Sequence, residues 1–394
     1  MIKKLIIKLF RLLGYNVESN RKFLKNVFNT RFQKNVLISY VIGPFLSDAK
    51  RRGVGHTMGM ECYTAAKIFQ ELGYNVDATQ FSDKRNIKYE KYDCVYGFGY
   101  SLENAFYSDC AEKIKKIYYS TGASPFYSDK QTALKLNNFN LEKGLIIPKS
   151  ARLVPGFSTL SIIMPDLNIT LGNAFTANTY LEINPKLNVR TTPVFYYDCY
   201  DCDLSRKNFN EARKHFLWFG SGGLLHKGLD ILIDIFSQRN DIFLHICGAS
   251  KDETKFFDYY KPIIERSNNI IEHGFVDINS ADFKNVMDKC AFVVHPSVSE
   301  GGAASVVTVM ANGGLIPIIS KSSGLDVEEF GYVFDVIDKN TVLEYINEAL
   351  KLSNDVLYEK ALKTKSTVRK NHTYEIYRQN LLKYIKEALG QEKI

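Results

Sequence analysis

The sequence predicts two doubly wound α/β domains in tandem, facing each other across a cleft. Three observations predict it. The chain of 394 residues exceeds one ordinary core and suits two. From Asn35 onward, apolar strand-like runs alternate with helix-like runs, the pattern of a parallel sheet covered by helices. After a polar stretch near residue 200 the alternation starts again. A composition of 45% hydrophobic and 24% charged residues fits a folded globular chain.

The first 34 residues stand apart. They hold nine lysines and arginines against the single acid Glu18, which accounts for the entire net charge of +8. Ile2, Leu5, Ile6, Leu9 and Leu13 fall on one helical face, with Lys4, Lys8 and Arg11 opposite. Gly14 interrupts the pattern, and Leu24, Val27 and Phe28 begin a second apolar stripe beside Lys22 and Lys25. This arm, residues 1–34, suits an anionic membrane surface or packing on the protein's own body. A nucleic-acid partner would want a basic stripe on a folded surface, and the rest of the chain is formally neutral. No nucleic acid is therefore expected. Lys8 and Arg11 break the apolar run too early for a signal peptide, and no run approaches the roughly 20 residues of a membrane span. The seven cysteines show no repeated spacing and read as reduced thiols. The expected location is cytoplasmic, peripheral on the inner face of the membrane.

The first domain is read over residues 35–205. "NVLISYVIG" is a buried strand. "MGMECYTAAKIFQELGYNVDATQ" is a helix closed by Gly73, then a strand. "YDCVYGFG" and "KIYYSTG" are further strands. "LSIIMPDLNITLG" is apolar enough for one more, with Pro165 ending it or starting a turn. "TTPVFYYD" closes the domain. "CYDCDLSRKNFNEAR" is polar and acidic, with no core pattern, and reads as the linker. The second domain, 206–372, runs through "HFLWFG", "GLDILIDIFSQ", "IFLHICG", "FFDYYKPIIERS", "IIEHGFV", "ADFKNVMDKC", "AFVVHPS", "VVTVMANG" and "LIPIIS". Residues 373–394 form a last helix with Tyr377, Leu381, Ile385 and Ala388 on one face, packing back on the first domain, and Gly390 is its stop.

Two segments carry chemistry. "FLWFGSGGLLHKGLDILIDIF" ends a strand in a glycine-rich loop, Gly220, Ser221 and Gly222, and places Lys227 just before a helix. There a cation can meet a diphosphate, although the spacing is not that of a P-loop. "HPSVSEGGAASVVTVMANGG" delivers Glu300 from a strand and turns at Gly301 and Gly302. Ala303, Ala304 and Ser305 then open a helix whose first N–H groups and dipole suit a phosphate. A carboxylate there would repel phosphate, so sugar hydroxyls are its natural partner.

These segments, with "NIIEHGFVD" between them, resemble the donor domain of GT-B fold glycosyltransferases of the family 4, or group 1, type. The register is Pro296-Ser297, Glu300-Gly301 and Met310-Ala311-Asn312-Gly313. The match is strong over roughly residues 210–330 and architectural elsewhere. The resemblance implies two Rossmann-like domains and a retaining hexosyltransferase that needs no cofactor and no bound metal. A nucleotide-diphosphate sugar is then the donor substrate, and a glycan or lipid-linked acceptor in cell-surface polysaccharide or glycolipid biosynthesis receives the sugar. Carried over by position, Lys227 contacts the donor diphosphate, Glu300 the donor sugar, and the N–H groups after Gly301 the distal phosphate. Ser297 belongs to the same donor loop.

Two positions depart from the pattern. Thr308 stands where the family has a second glutamate for the ribose, and still offers a hydroxyl. Ser221 or Gly222 stands where the family has a loop arginine, which makes the neighbouring His226 a candidate substitute cation. In the first domain, Arg51, Arg52, Gly53, Gly55 and His56 form a loop at the cleft. Arg51, Arg52 and His56 can meet an anionic acceptor, and His56 joins Lys227 and Glu300 as a catalytic candidate. Thr121 and Gly122 sit at another strand's carboxyl end and face the same cleft. Gly53-x-Gly55 with Asp77 lies too far from its strand for a dinucleotide turn. Cys199-x-x-Cys202 is a single pair, a poor basis for zinc. Two other functions stay open: an epimerase or hydrolase of nucleotide sugars on this fold, and a non-catalytic sugar-nucleotide-binding partner subunit.

Overall fold

The computed structural model describes residues 23–46, 57–154 and 159–391. The amphipathic run from Ile2 to Leu13, and the loop candidates Arg51, Arg52, Gly53, Gly55 and His56, lie outside the described residues. Backbone contacts divide the chain into two compact units, 1–116 and 117–394. Among the described residues no helix is long and apolar enough to cross a membrane.

In the first unit, β1 (Phe23–Leu24), β2 (Lys34–Tyr40), helix α1 (Thr57–Glu71), β3 (Tyr74–Gln80) and β4 (Cys94–Gly97) follow in chain order. β2 lies between β3 and β4, parallel to both. Val36, Leu37 and Ile38 are fully buried, as a strand covered on both faces requires. The second apolar stripe of the arm is a correction to the helical reading. Phe23 and Leu24 pair antiparallel with Thr79 and Ala78 of β3. The open edge of β3 offers unpaired N–H and C=O groups, and this short segment satisfies them. Asp77 is spent inside the unit, accepting from the Asn26 N–H and the Tyr92 hydroxyl.

The second unit opens with β5 (Lys115–Ser120), α2 (Pro125–Lys143), β6 (Leu167–Leu171), α3 (Ala174–Leu181) and β7 (Val189–Thr192). These strands run parallel in the order β5-β6-β7. The single strand read across "LSIIMPDLNITLG" is in fact a short helix, Leu160–Ile163, followed by the strand from Leu167. Pro165 separates them, because it cannot donate to a ladder and fixes its own φ.

The unit continues with β8 (His215–Phe219), α4 (Leu229–Phe236), β9 (Phe243–Cys247), α5 (Thr254–Arg266), β10 (Ile270–Gly274), α6 (Ala281–Lys289), β11 (Phe292–His295), α7 (Ala304–Gly313), β12 (Ile316–Ser320) and β13 (Tyr332–Phe334). Its sheet has the order β10-β9-β8-β11-β12-β13 and every pair is parallel. The chain winds outward from β8 in one direction and from β11 in the other. Ligands in such sheets bind beyond the carboxyl ends of strands at that reversal. Both glycine loops leave from there. The two parallel-sheet, Rossmann-like halves are thus as the sequence predicts.

Helices α8 (Lys339–Leu350), α9 (Asn354–Asn371) and α10 (Tyr374–Ala388) end the chain. Tyr377, Leu381 and Ile385 are fully buried. The Tyr384 hydroxyl donates to the Thr191 carbonyl of β7 at 3.0 Å, and Arg190 pairs with Glu387. The linker stretch is less polar in place than in sequence. Cys202, Leu204, Phe209 and Ala212 enter the core of the six-stranded half, spaced so irregularly that neither a helical nor a strand period betrays them. On β8, β9 and β10, His215, His245 and His273 form a row, with the last two rings stacked and the first tilted by 38°. His215 Nδ1 lies 2.9 Å from His245 Nε2, whose Nδ1 lies 3.0 Å from His273 Nε2.

Candidate active site

The glycine-rich loop after β8 is held by a carboxylate that the sequence did not single out. Glu253, just before α5, is buried and accepts from the Gly223 N–H at 2.5 Å and the Leu224 N–H at 3.0 Å. The indole of Trp218 donates to the Lys227 carbonyl at 3.2 Å. These contacts fix the backbone from which the Lys227 side chain extends. Of the loop residues predicted to meet the donor, Gly220 is buried, Gly222 half-buried and Ser221 exposed.

The second loop leaves β11. The Glu300 N–H donates to the Ser322 carbonyl and the Gly302 N–H to the Ser323 carbonyl. Ser297 is fully buried, with its hydroxyl near the His226 and Ser299 carbonyls, so it braces the loop from inside. Gly301 is required by a close approach. A Cβ there would stand 2.0 Å from the Thr121 carbonyl oxygen and 2.5 Å from Gly122 Cα. The Ala123 N–H also donates to the Glu300 carbonyl at 3.3 Å. Thr121 and Gly122 therefore do meet the Glu300 loop, backbone against backbone.

Helix α7 starts at Ala304 after Ala303, whose φ of 39° lies in the left-handed region and whose side chain makes no cap. Its first-turn N–H groups have no intrahelical partners, and the positive end of the helix dipole lies there. Non-glycine residues held in this conformation cost about 1–3 kcal/mol and cluster at functional sites. The Ser305 hydroxyl ties the helix start to the Phe219 carbonyl at 2.7 Å.

Glu300 is the centre of the charged groups. Lys227 Nζ lies 3.0 Å from Glu300 Oε1. Arg152 Nη1 lies 3.3 and 3.4 Å from the two carboxylate oxygens. His295 Nε2 stands 3.8 Å away. Burial alone would raise the Glu300 carboxyl, but Lys227 and then Arg152 outweigh it and hold the group well below the usual carboxylate range. Burial lowers the Lys227 ammonium, and Glu300 works against that. The two face each other in a nearly closed environment, with side chains only 11% and 10% exposed. Both nitrogens of His295 are buried without a hydrogen-bond partner, and burial keeps the ring neutral.

A cation pair around a carboxylate, between two glycine turns and beside an uncapped helix N-terminus, is suited to a ligand bearing both phosphate and hydroxyl groups. The sequence comparison agrees: the family described as glycosyl transferases group 1 matches over residues 203–370. Residues 203–370 are a glycosyl transferases group 1 domain. Solved structures of the GT-B fold match about nine-tenths of the chain. Sucrose-phosphate synthase from Thermosynechococcus elongatus is 12% identical with a TM-score of 0.62, over 91% of this chain and 100% of that one. Anabaena HepE in complex with UDP-glucose is 14% identical with a TM-score of 0.55, over 90% and 99%. The lipopolysaccharide outer core galactosyltransferase WaaB is 12% identical with a TM-score of 0.54, over 90% and 99%. No curated protein matches the chain in sequence.

Within this glycosyltransferase domain, two expected substitutes play other parts. His226 is not a cation. Its Nε2 lies 2.6 Å from the Ser299 carbonyl and so carries the proton, while Nδ1 accepts from the Thr132 hydroxyl at 2.8 Å. Burial pushes the ring down to about 4, so it is neutral at physiological pH. It braces α2 against the Glu300 loop. Thr308 is 2% exposed, and its hydroxyl is already used at both ends. It donates to the Ala304 carbonyl at 2.8 Å and accepts from the Tyr197 N–H at 3.3 Å. The Cys202 thiol donates to Asp288 at 3.0 Å, and among the described residues no cluster of His, Cys, Asp and Glu suits a metal. Arg152, Glu253 and His295 went unnoticed in the sequence. Each stands outside any recurring pattern, and only His295, just before Pro296-Ser297, was close enough to a motif to be found.

Proposed function

We propose that the chain is a retaining, metal-independent hexosyltransferase. It moves a sugar from a nucleotide-diphosphate sugar to a glycan or lipid-linked acceptor in the assembly of cell-surface polysaccharide or glycolipid. The observation that carries the proposal is the Lys227–Glu300 pair at 3.0 Å, set beside the uncapped start of α7 within a glycosyltransferase domain. Lys227 and the α7 N–H groups stabilise the negative charge that develops on the departing diphosphate. Glu300, kept ionised, accepts hydrogen bonds from sugar hydroxyls and orients the ring. The UDP-glucose held by HepE and the outer-core role in WaaB's name support a nucleotide sugar and a surface glycan. The basic arm, residues 1–34, would hold the enzyme near an anionic membrane carrying the acceptor.

A calorimetric screen of UDP, GDP, CDP, dTDP and ADP tests the reading. One of the five should bind, and its hexose conjugates should transfer sugar with the donor's anomeric configuration kept, read by proton NMR. No binding to any of them would overturn the proposal. Turnover of donor alone to epimer or free sugar, with no transfer to any acceptor, would favour the epimerase or hydrolase.

A further inference from the structure

Resting on that reading, we infer that Arg152 is the second cation of the donor diphosphate site, reaching the glycine-rich loop from a different stretch of chain. Three observations carry it. The first is placement. Arg152 closes the short helix Pro148–Ala151 with a φ of 45°, a left-handed conformation that is costly for a non-glycine residue. The Ser150 carbonyl accepts from the His226 N–H at 3.1 Å, so the segment is docked on the loop that carries Lys227.

The second is fit. Gly223, with a φ of +81°, leaves the space that the arginine stem fills. A Cβ at that glycine would come within 3.2 Å of Arg152 Cβ and Cδ. The third is charge balance. Lys227 alone is matched by Glu300, which leaves no net positive charge for an incoming diphosphate. Arg152 supplies that surplus charge, and its side chain is 51% exposed. A guanidinium also matches phosphate geometry through paired N–H groups. In the unliganded protein Glu300 occupies both cations. The diphosphate takes them over and leaves the carboxylate to the sugar.

The test is calorimetry with inorganic pyrophosphate and with the same five nucleoside diphosphates, on wild type, R152Q and R152K. R152Q should weaken pyrophosphate and the best nucleoside diphosphate by about 10- to 100-fold, the range for loss of charged hydrogen bonds. R152K, which keeps the charge, should recover most of that loss. A melting curve checks the fold, and the exposed guanidinium predicts little change. If wild type binds and R152Q binds equally well, Arg152 has no such role and the donor reading stands. If wild type binds neither pyrophosphate nor any of the five, the donor reading itself falls.

Discussion

Glu300→Gln should leave the protein folded, bind nucleoside diphosphate at least as tightly as wild type, and transfer sugar roughly 100- to 1000-fold more slowly. The two halves of this expectation have different causes. In the free protein the carboxylate competes with any diphosphate for Lys227 and Arg152, which it holds at 3.0 and 3.3 Å. Glutamine is nearly isosteric and removes the competing charge, so binding is not weakened. The rate falls because a neutral amide orients and stabilises the sugar far less than a carboxylate as positive charge grows on its ring. Binding calorimetry and initial rates on one preparation separate the effects. Weaker diphosphate binding with an unchanged rate would reverse the assignment.

The second large effect is on stability. All six histidines among the described residues are held below the ordinary imidazole value. Burial is the leading cause for each; Lys289 adds to it at His215, His245 and His273, and the two neighbouring rings add to it at His245. The unfolded chain binds protons that the folded chain refuses. Stability is therefore complete above about pH 6.5, the unfolded value, and is lost as pH falls toward the folded values. For His226, lowered to about 4, the loss comes to about 3 kcal/mol across that interval. His245, lowered to about 3, adds to it over a wider window. Urea denaturation at pH 7.5, 6, 5 and 4.5 should show a falling midpoint that begins near pH 6.5. A midpoint unchanged down to pH 5 would contradict the buried, neutral assignment.

What could be read from the sequence had a local cause. β2 and β11 are short apolar runs whose burial follows from composition, and α10 shows its buried stripe at Tyr377, Leu381 and Ile385. Lys227 and Glu300 were legible because each sits in a strand–glycine–helix pattern whose spacing carries its own explanation. What was not legible depends on chain brought in from elsewhere. Arg152 is 148 positions from the carboxylate it meets, and nothing in "PKSAR" announces it. Glu253 lies 30 positions from the N–H it holds. The neutral state of His226 comes from Thr132 and Ser299 closing around it, and the engaged hydroxyl of Thr308 from Tyr197 folding across the helix. Leu24 left its helical stripe for a related reason, because the edge of β3 offered partners that local periodicity does not record.

The claim on which the rest depends is that a donor diphosphate seats against Lys227 and the start of α7. A crystal structure with the nucleoside diphosphate selected by calorimetry tests it directly. The account predicts the distal phosphate within hydrogen-bond distance of Lys227 Nζ and of first-turn N–H groups at Ala304 and Ser305, with the guanidinium of Arg152 turned from Glu300 onto the same diphosphate. A diphosphate bound elsewhere, with the Lys227–Glu300 pair still closed, would contradict it.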